Sequence, residues 1–336
     1  MPDTYSPPLS PPLASESLAP ASPPPADLED AIHDLRTQRK AVILAHYYQD
    51  EDIQDIADFV GDSLDLSRKA ASTDAETIVF CGVRFMAEVA KILSPDKNVI
   101  IPDAKAGCSL EDSCPPAKFK AFRQQHPDHV AITYINCSAD VKALSDIIVT
   151  SSNALRIIEQ IPADKPILFA PDRHLGAYLK RQSGRDNMIL WPGTCVVHEQ
   201  FSEREMIKIK HRHPKALISA HPECPEHLLR HADHIGSTSA MLNFVRTSHA
   251  DEFIIATETH IIHQMKKAAP HKTFYTAPGV DGSCNCARCP YMALNSMEKL
   301  YRALATMQPA ITLDAELRRA AHKPLMRMLD MSPPAS

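Results

Sequence analysis

The chain has 336 residues, enough for roughly two or three domains, and 44% of them are hydrophobic, which allows substantial cores. Its formal net charge of −5 argues against a broad nucleic-acid surface, which needs a basic excess, but leaves room for a small anion held by local groups. No run approaches the ~18 apolar residues of a membrane-spanning helix, so neither nucleic acid nor membrane is an expected partner.

Residues 1–26, "MPDTYSPPLSPPLASESLAPASPPPA", are rich in Pro and Ser and read as a disordered tail. The first Lys or Arg is Arg36 and no apolar leader precedes it, so the expected compartment is the cytoplasm. Nine cysteines, an odd number, do not suit a disulfide framework there. Clustered cysteines in a reducing setting point to metal or redox work.

From Asp27 the composition becomes globular. "AVILAHYYQ" (41–49), "VAITYINC" (130–137) and "ALISAHPEC" (216–224) are short apolar runs ending in polar residues. Such runs predict buried parallel strands. Their anchors, His46, Tyr134 and His221, fall about 88 residues apart. After each anchor comes a small polar turn: "GDSL", "TSSNA" or "GSTSA". A second apolar run follows ("TIVFCG", "PILFAP", "EFIIAT"), then an amphipathic helical stretch ("RFMAEVAKIL", "RHLGAYLKRQ", "THIIHQMKK"). The last strand-like run is "NVIIPD", "NMILWPG" or the weaker "KTFYTAPG". Strands alternating with helices at this spacing predict an α/β fold of three similar αβα units with parallel sheets, triplicated in tandem. The expected boundaries are 27–112, 113–198 and 199–290, with 291–336 a helical segment closing the fold.

Ligands of parallel α/β units bind at the carboxyl ends of the strands. Residues i and i+2 of a strand share a face, which pairs His46 with Tyr48, Tyr134 with Asn136, and His221 with Glu223. Seventeen residues after each anchor stands a hydroxyl: Ser63, Ser151 and Thr238. Hydroxyls at helix starts suit anions. Between 61 and 68 residues after each anchor stands a cysteine: Cys108, Cys195 and Cys289. Around a pseudo-threefold axis the three thiols would converge beneath a polar pocket. Structural zinc wants four closed ligands, and a [4Fe–4S] cluster normally takes four cysteines. Three thiolates would leave one iron open to act as a Lewis acid, while a histidine or carboxylate could instead complete a zinc site.

The remaining cysteines Cys81, Cys114, Cys137 and Cys224 read as small buried hydrophobes, and most of the 17 histidines as surface or hydrogen-bonded residues. "GDSL" resembles a serine-hydrolase signature, but G-x-S-x-G is absent. No P-loop or G-x-G-x-x-G appears.

Eleven stretches together resemble the quinolinate synthase family, the A protein of de novo NAD biosynthesis: "AHYYQ", "GDSLDLS", "CGVRFMAEVAKILSP", "AGCSL", "YIN", "VTSSNA", "FAPDRHLG", "WPGTCVVH", "HPEC", "GSTSAM" and "CARCPYMALN". They span most of residues 40–300. The resemblance implies three α/β domains about a pseudo-threefold axis and a [4Fe–4S] cluster on Cys108, Cys195 and Cys289, with one iron free as a Lewis acid. It implies condensation of iminoaspartate with dihydroxyacetone phosphate to quinolinate, phosphate and water, with an aspartate oxidase or dehydrogenase supplying the iminoaspartate. By the same resemblance Glu223 is the acid/base, Tyr48 and His46 serve proton transfer and substrate placement, and His198 sits by the cluster. Ser63, Tyr134, Asn136, Ser151, His221 and Thr238 would bind substrate oxygens.

The stretch "SCNCARC" departs from relatives that carry Cys-x-x-Cys-x-x-Cys. Cys284 and Cys286 are the spare pair, which in relatives can form a redox-sensitive disulfide. Here a single residue separates them and such a ring is strained, so they read as non-ligand thiols near the cluster. The competing expectation is a non-catalytic iron–sulfur or zinc sensor with a ligand-binding α/β body. A sensor has little use for a His/Tyr/Glu set at three strand ends.

Overall fold

The apolar runs become strands because both of their faces are covered. The computed structural model describes residues 25, 27–280, 282 and 287–333. The Pro/Ser-rich tail, except Pro25, and the pair Cys284 and Cys286 lie outside the described residues. The first unit contains β1 (Ala41–His46), β2 (Phe59–Gly61), β3 (Thr77–Cys81) and β4 (Asn98–Ile100). The second contains β5 (Val130–Tyr134), β6 (Ile147–Val149), β7 (Ile167–Ala170) and β8 (Met188–Leu190). The third contains β9 (Leu217–Ala220), β10 (His234–Ile235), β11 (Glu252–Ala256) and β12 (Thr273–Thr276). The fold is therefore α/β, with three parallel four-stranded sheets of the same order: β2-β1-β3-β4, β6-β5-β7-β8 and β10-β9-β11-β12.

Alternation along each central strand feeds two cores. Val42 and Leu44 enter one, and Ile43 and Ala45 the other. In the third unit Ile254 and Ala256 face one side, while Phe253 and Ile255 face the opposite one. The first core is shared: Phe80 and Val89 of the first unit lie in the same cluster as Ile132 and Phe169 of the second. The helix Met297–Thr306 returns to the first sheet, where Leu300, Ala303 and Leu304 cover Ile32 and Ile43. The helix Ala315–Met331 packs on the helix Ala139–Ala143 and on β6.

One device recurs in all three units. Asp58 accepts the Ile43 N–H through Oδ2 at 2.8 Å. Asp146 does the same for Ala131, and Asp233 for Ile218, each at 2.8 Å. In every case the two residues are fifteen apart. The aspartate's own N–H returns to the same residue's carbonyl, at 3.0, 2.9 and 2.9 Å. The backbone entering the edge strand is thus stapled to the central strand near its amino end.

In each sheet the chain leaves the first strand toward one edge and returns past it to the third. The order reverses between those two strands, so a crevice opens at their carboxyl ends. The three crevices meet. Across the first and second units, Glu88 Oε2 accepts the Ala139 N–H at 2.9 Å. From the first unit Asp62 reaches both others, since its Oδ2 accepts the hydroxyls of Ser152 and Ser239.

Replacing Asp233 by Ala leaves the Ile218 N–H without its acceptor. We expect a loss of about 1–3 kcal/mol, the cost of an unsatisfied buried donor, read as a lower urea midpoint. An unchanged midpoint would mean that water serves that amide.

Candidate active site

All thirteen residues singled out from sequence line one cavity: His46, Tyr48, Ser63, Cys108, Tyr134, Asn136, Ser151, Cys195, His198, His221, Glu223, Thr238 and Cys289. His46 and Tyr134 are the last residues of β1 and β5, and His221 follows β9 directly. Their partners Tyr48, Asn136 and Glu223 lie beyond the strands, in turns. Strand alternation is therefore not what joins the pairs. The anchoring imidazole folds back instead: His46 Nδ1 accepts the Tyr48 N–H at 3.2 Å, and His221 Nδ1 accepts the Glu223 N–H at 3.4 Å.

That back-bond assigns the tautomer. With Nδ1 accepting, the proton of a neutral ring stands on Nε2. For His221 this N–H is directed to Ser151 Oγ, 3.2 Å away. Burial holds both rings neutral, lowering His46 to about 4 and His221 to about 3. The phenols are neutral as well, because burial raises Tyr48 and Tyr134 well above their ordinary value.

Glu223 is 3% exposed. Burial opposes its charge, but the imidazoles of His198 and His221 and a hydrogen bond from Tyr134 outweigh that and lower its carboxyl to about 2. The Tyr134 hydroxyl donates to Oε1 at 2.6 Å. His198 Nδ1 stands 3.1 Å from Oε2, off the line of a hydrogen bond. Glu223 is thus an anion with one oxygen firmly bound and the other loosely held.

Ser63 and Thr238 open the helices Ser63–Ser72 and Thr238–Thr247, and Ser151 lies in the turn before Ala154–Glu159. No lysine or arginine lines the cavity among the described residues. Anions there meet neutral N–H and O–H donors and helix N-termini.

The thiols come one from each unit's last loop. Backbone N–H groups of Leu110 and Glu111 reach the Cys108 sulfur, that of His198 reaches Cys195, and those of Tyr291 and Met292 reach Cys289. Burial raises all three, Cys289 to about 11, and neighbouring sulfurs raise each of Cys108 and Cys195 further. Three buried sulfurs lining one cavity, two of them raised further by a neighbouring sulfur, fit thiolates bound to a shared cationic group, which would reverse those shifts. Ser109 Oγ accepts the Val196 N–H at 3.0 Å and ties two of the loops together. Among the described residues, the ligand atoms lying within 4.8 Å of one another belong to Cys195, His198 and Glu223. Cys81, Cys114, Cys137 and Cys224 are free and buried in the cores, as small hydrophobes.

Four residues of the site escaped the sequence reading. Asp62 caps the helix Ser63–Ser72 and binds the two serines named above. The other three follow the third strand of a unit: Asp172 after β7, and Thr257 and Glu258 after β11. Asp172 caps the helix Arg173–Ser183, and its Oδ2 is buried without a partner. Burial and the nearby Glu223 push its carboxyl well up. Glu258 lines the cavity, accepts the Cys289 N–H at 3.2 Å and pairs with His260 Nδ1 at 2.8 Å. The signal was available: the second apolar run of each unit also ends at the crevice, so its last residues deserved the scrutiny given to the first.

Three parallel α/β units sharing one thiol-bearing cavity define a class of triplicated α/β proteins in which no single unit holds a complete site. The profile of the family described as "Quinolinate synthetase A protein" matches residues 30–330. A quinolinate synthase of Thermosynechococcus vestitus is 58% identical over 314 residues, 94% of this chain and 98% of that one. One from a Nostoc species is 57% identical over 308 residues, covering 92% and 94%. One from Prochlorococcus marinus is 55% identical over 317 residues, covering 94% and 95%. The chain belongs to the quinolinate synthetase A family, as its motifs indicated. Among the described residues no helix is long and apolar enough to cross a membrane.

His46 and His221 stay unprotonated in the folded state well below their ordinary 6.5. The unfolded chain therefore binds more protons, and stability falls as pH drops from about 6.5 toward 4. His221→Asn should flatten that slope by about 1.4 kcal/mol per pH unit, measured by urea unfolding. A slope identical to the parent's would mean that the ring is charged in the fold.

Proposed function

We propose that this chain is a quinolinate synthase of NAD biosynthesis, condensing iminoaspartate with dihydroxyacetone phosphate to give quinolinate, phosphate and water. The observation that carries the reading is Glu223, a buried carboxylate poised for proton transfer in the same cavity as three thiols. The family and its relatives' names support the activity.

Glu223 is the acid/base. Its loosely held Oε2 can take a proton from a carbon next to a carbonyl and return it to a departing hydroxyl. Tyr134 keeps the other oxygen fixed. The Tyr48 phenol, neutral at pH 7, is a donor to a developing alkoxide. His46 presents a neutral ring whose Nε2–H serves a substrate oxygen, His221 directs its own to Ser151 Oγ and so orients that hydroxyl, and Ser63, Ser151 and Thr238 serve substrate oxygens at the helix starts. Asn136 Oδ1 is buried without a donor, so a substrate hydroxyl or imine N–H would satisfy it. His198 lies between the thiols and Glu223 and orients the carboxylate.

Cys108, Cys195 and Cys289 would hold a [4Fe–4S] cluster, which supplies positive charge and, with only three protein ligands, Lewis acidity. A single ion on Cys195, His198 and Glu223 is the geometric rival. It would occupy the acid/base, which disfavours it in a protein that must move protons. Iminoaspartate hydrolyses readily, so an aspartate oxidase or dehydrogenase is the expected supplier.

Glu223→Gln should keep full iron and sulfide and lose about 100- to 10,000-fold in kcat. Turnover near the parent's would remove Glu223 from the chemistry. Ser at Cys108, Cys195 or Cys289 should each abolish the cluster's absorption, and Cys81→Ser should not. One zinc and no sulfide in anaerobically purified protein would favour the sensor reading instead.

A further inference from the structure

Lys142 is 0% exposed, and the chemistry described above makes no use of it. It belongs to the helix Ala139–Ala143. Its Nζ donates to the Ile135 carbonyl at 2.9 Å and to the Cys137 carbonyl. Those two carbonyls flank Asn136, which lines the cavity. The first unit repeats the arrangement with a different donor. Gln54, also buried, gives Nε2 to the Tyr47 carbonyl at 3.1 Å and to the Gln49 carbonyl at 2.7 Å. These flank Tyr48, another lining residue. In both units the donor stands eight residues after the anchor, Tyr134 or His46, and grips the first and third residues after it. The third unit carries Leu229 at that place, which has nothing to donate. Its turn is held by the His221 ring, through the Glu223 N–H. The first turn has both devices, the His46 ring and Gln54. The second has no anchoring ring nitrogen, because Tyr134 stands there and gives its hydroxyl to Glu223. A buried ammonium is costly unless its protons are satisfied. Two carbonyls satisfy this one, and the Phe85 ring lies 5.3 Å from the nitrogen.

We propose that Lys142 and Gln54 are equivalent positioning residues: each clamps the turn that presents a cavity side chain, Asn136 or Tyr48, and the second turn depends on its clamp because it lacks the imidazole. The inference rests on the reading of the function above for its kinetic effect, but not for its structural one. Methionine at 142 would fill nearly the same space and leave the carbonyls on either side of Asn136 without that donor.

Lys142→Met should fold, retain the parent's iron and sulfide, and lose about 10- to 100-fold in kcat/KM, the scale of a misplacement near 1 Å. Should it not fold, Lys142→Leu, the third unit's residue, takes its place. Lys142→Gln, the first unit's own donor, should return to within about threefold of the parent. In a background of Asn136→Ala, Lys142→Met should cost less than about threefold more, because its effect runs through the side chain already removed. Hydrogen exchange read by mass spectrometry is independent of turnover. Lys142→Met should exchange faster than the parent over 135–139, where the Cys137 N–H bonds Ile135 and the Ala139 N–H bonds Glu88. Gln54→Met should raise exchange over 47–50 by a smaller factor, since His46 still accepts the Tyr48 N–H. Unchanged exchange at 135–139, losses that multiply in full with Asn136→Ala, or a Lys142→Gln as damaged as Lys142→Met would overturn the proposal. A parent that holds the cluster and makes no quinolinate, with faster exchange at 135–139 in Lys142→Met, would overturn the functional reading and leave the clamp standing.

Discussion

The hydrogen bond from Tyr134 to Glu223 joins the second unit to the third inside the shared cavity, where Glu223 is all but removed from solvent. A carboxylate buried as deeply as Glu223 cannot stay charged alone, because losing hydration costs several kcal/mol per ion. Part of its compensation comes from outside its own unit, a phenol from β5 and an imidazole from the loop after β8, beside His221 of its own. Every feature of the site follows from that dependence. The second and third units together hold Glu223 as an anion, and the first adds Tyr48 and Cys108 to the same cavity.

The same burial explains the choice of donors. A lysine in this cavity would either pair with Glu223 and neutralise it or lose its own proton. Neutral imidazoles and hydroxyls do neither. His46 and His221 achieve neutrality by burial, and direction by giving Nδ1 to the backbone two residues on. The carboxylate Asp62, which also lines the cavity, is occupied by two backbone N–H groups and two serine hydroxyls, so its lone pairs are turned to the protein rather than to a bound anion.

Much of this was legible in the sequence, for reasons that can be traced to particular residues. The strands after Lys40, His129 and Lys215 were visible because burial on both faces leaves unbroken apolar runs. The anchors His46, Tyr134 and His221 were visible because a polar residue closing such a run has little structural excuse. The pairing with Tyr48, Asn136 and Glu223 was reached by strand alternation, whereas in the first and third units the structure uses a turn closed by the anchoring imidazole. Thr257 and Glu258 were hidden because a Thr-Glu pair after a strand looks like ordinary punctuation, and its meaning lies in contacts to Tyr48 and Cys289, 209 and 31 residues away. Asp58, Asp146 and Asp233 were in plain sight at a fixed interval. An aspartate before a strand is common enough that only its returning hydrogen bond gives the interval significance.

Those three aspartates sit near the amino ends of the sheets, and the chemistry sits at the carboxyl ends. A change at Glu223 or His198 therefore leaves the staples untouched, and a weakened staple leaves the donors in place. An ancestral single unit, copied three times, could have let each copy's strand ends drift toward a different task, imidazole in two and phenol in one, while the opposite rim went on holding the sheet together. Change at the carboxyl ends leaves all three amino-end staples in place.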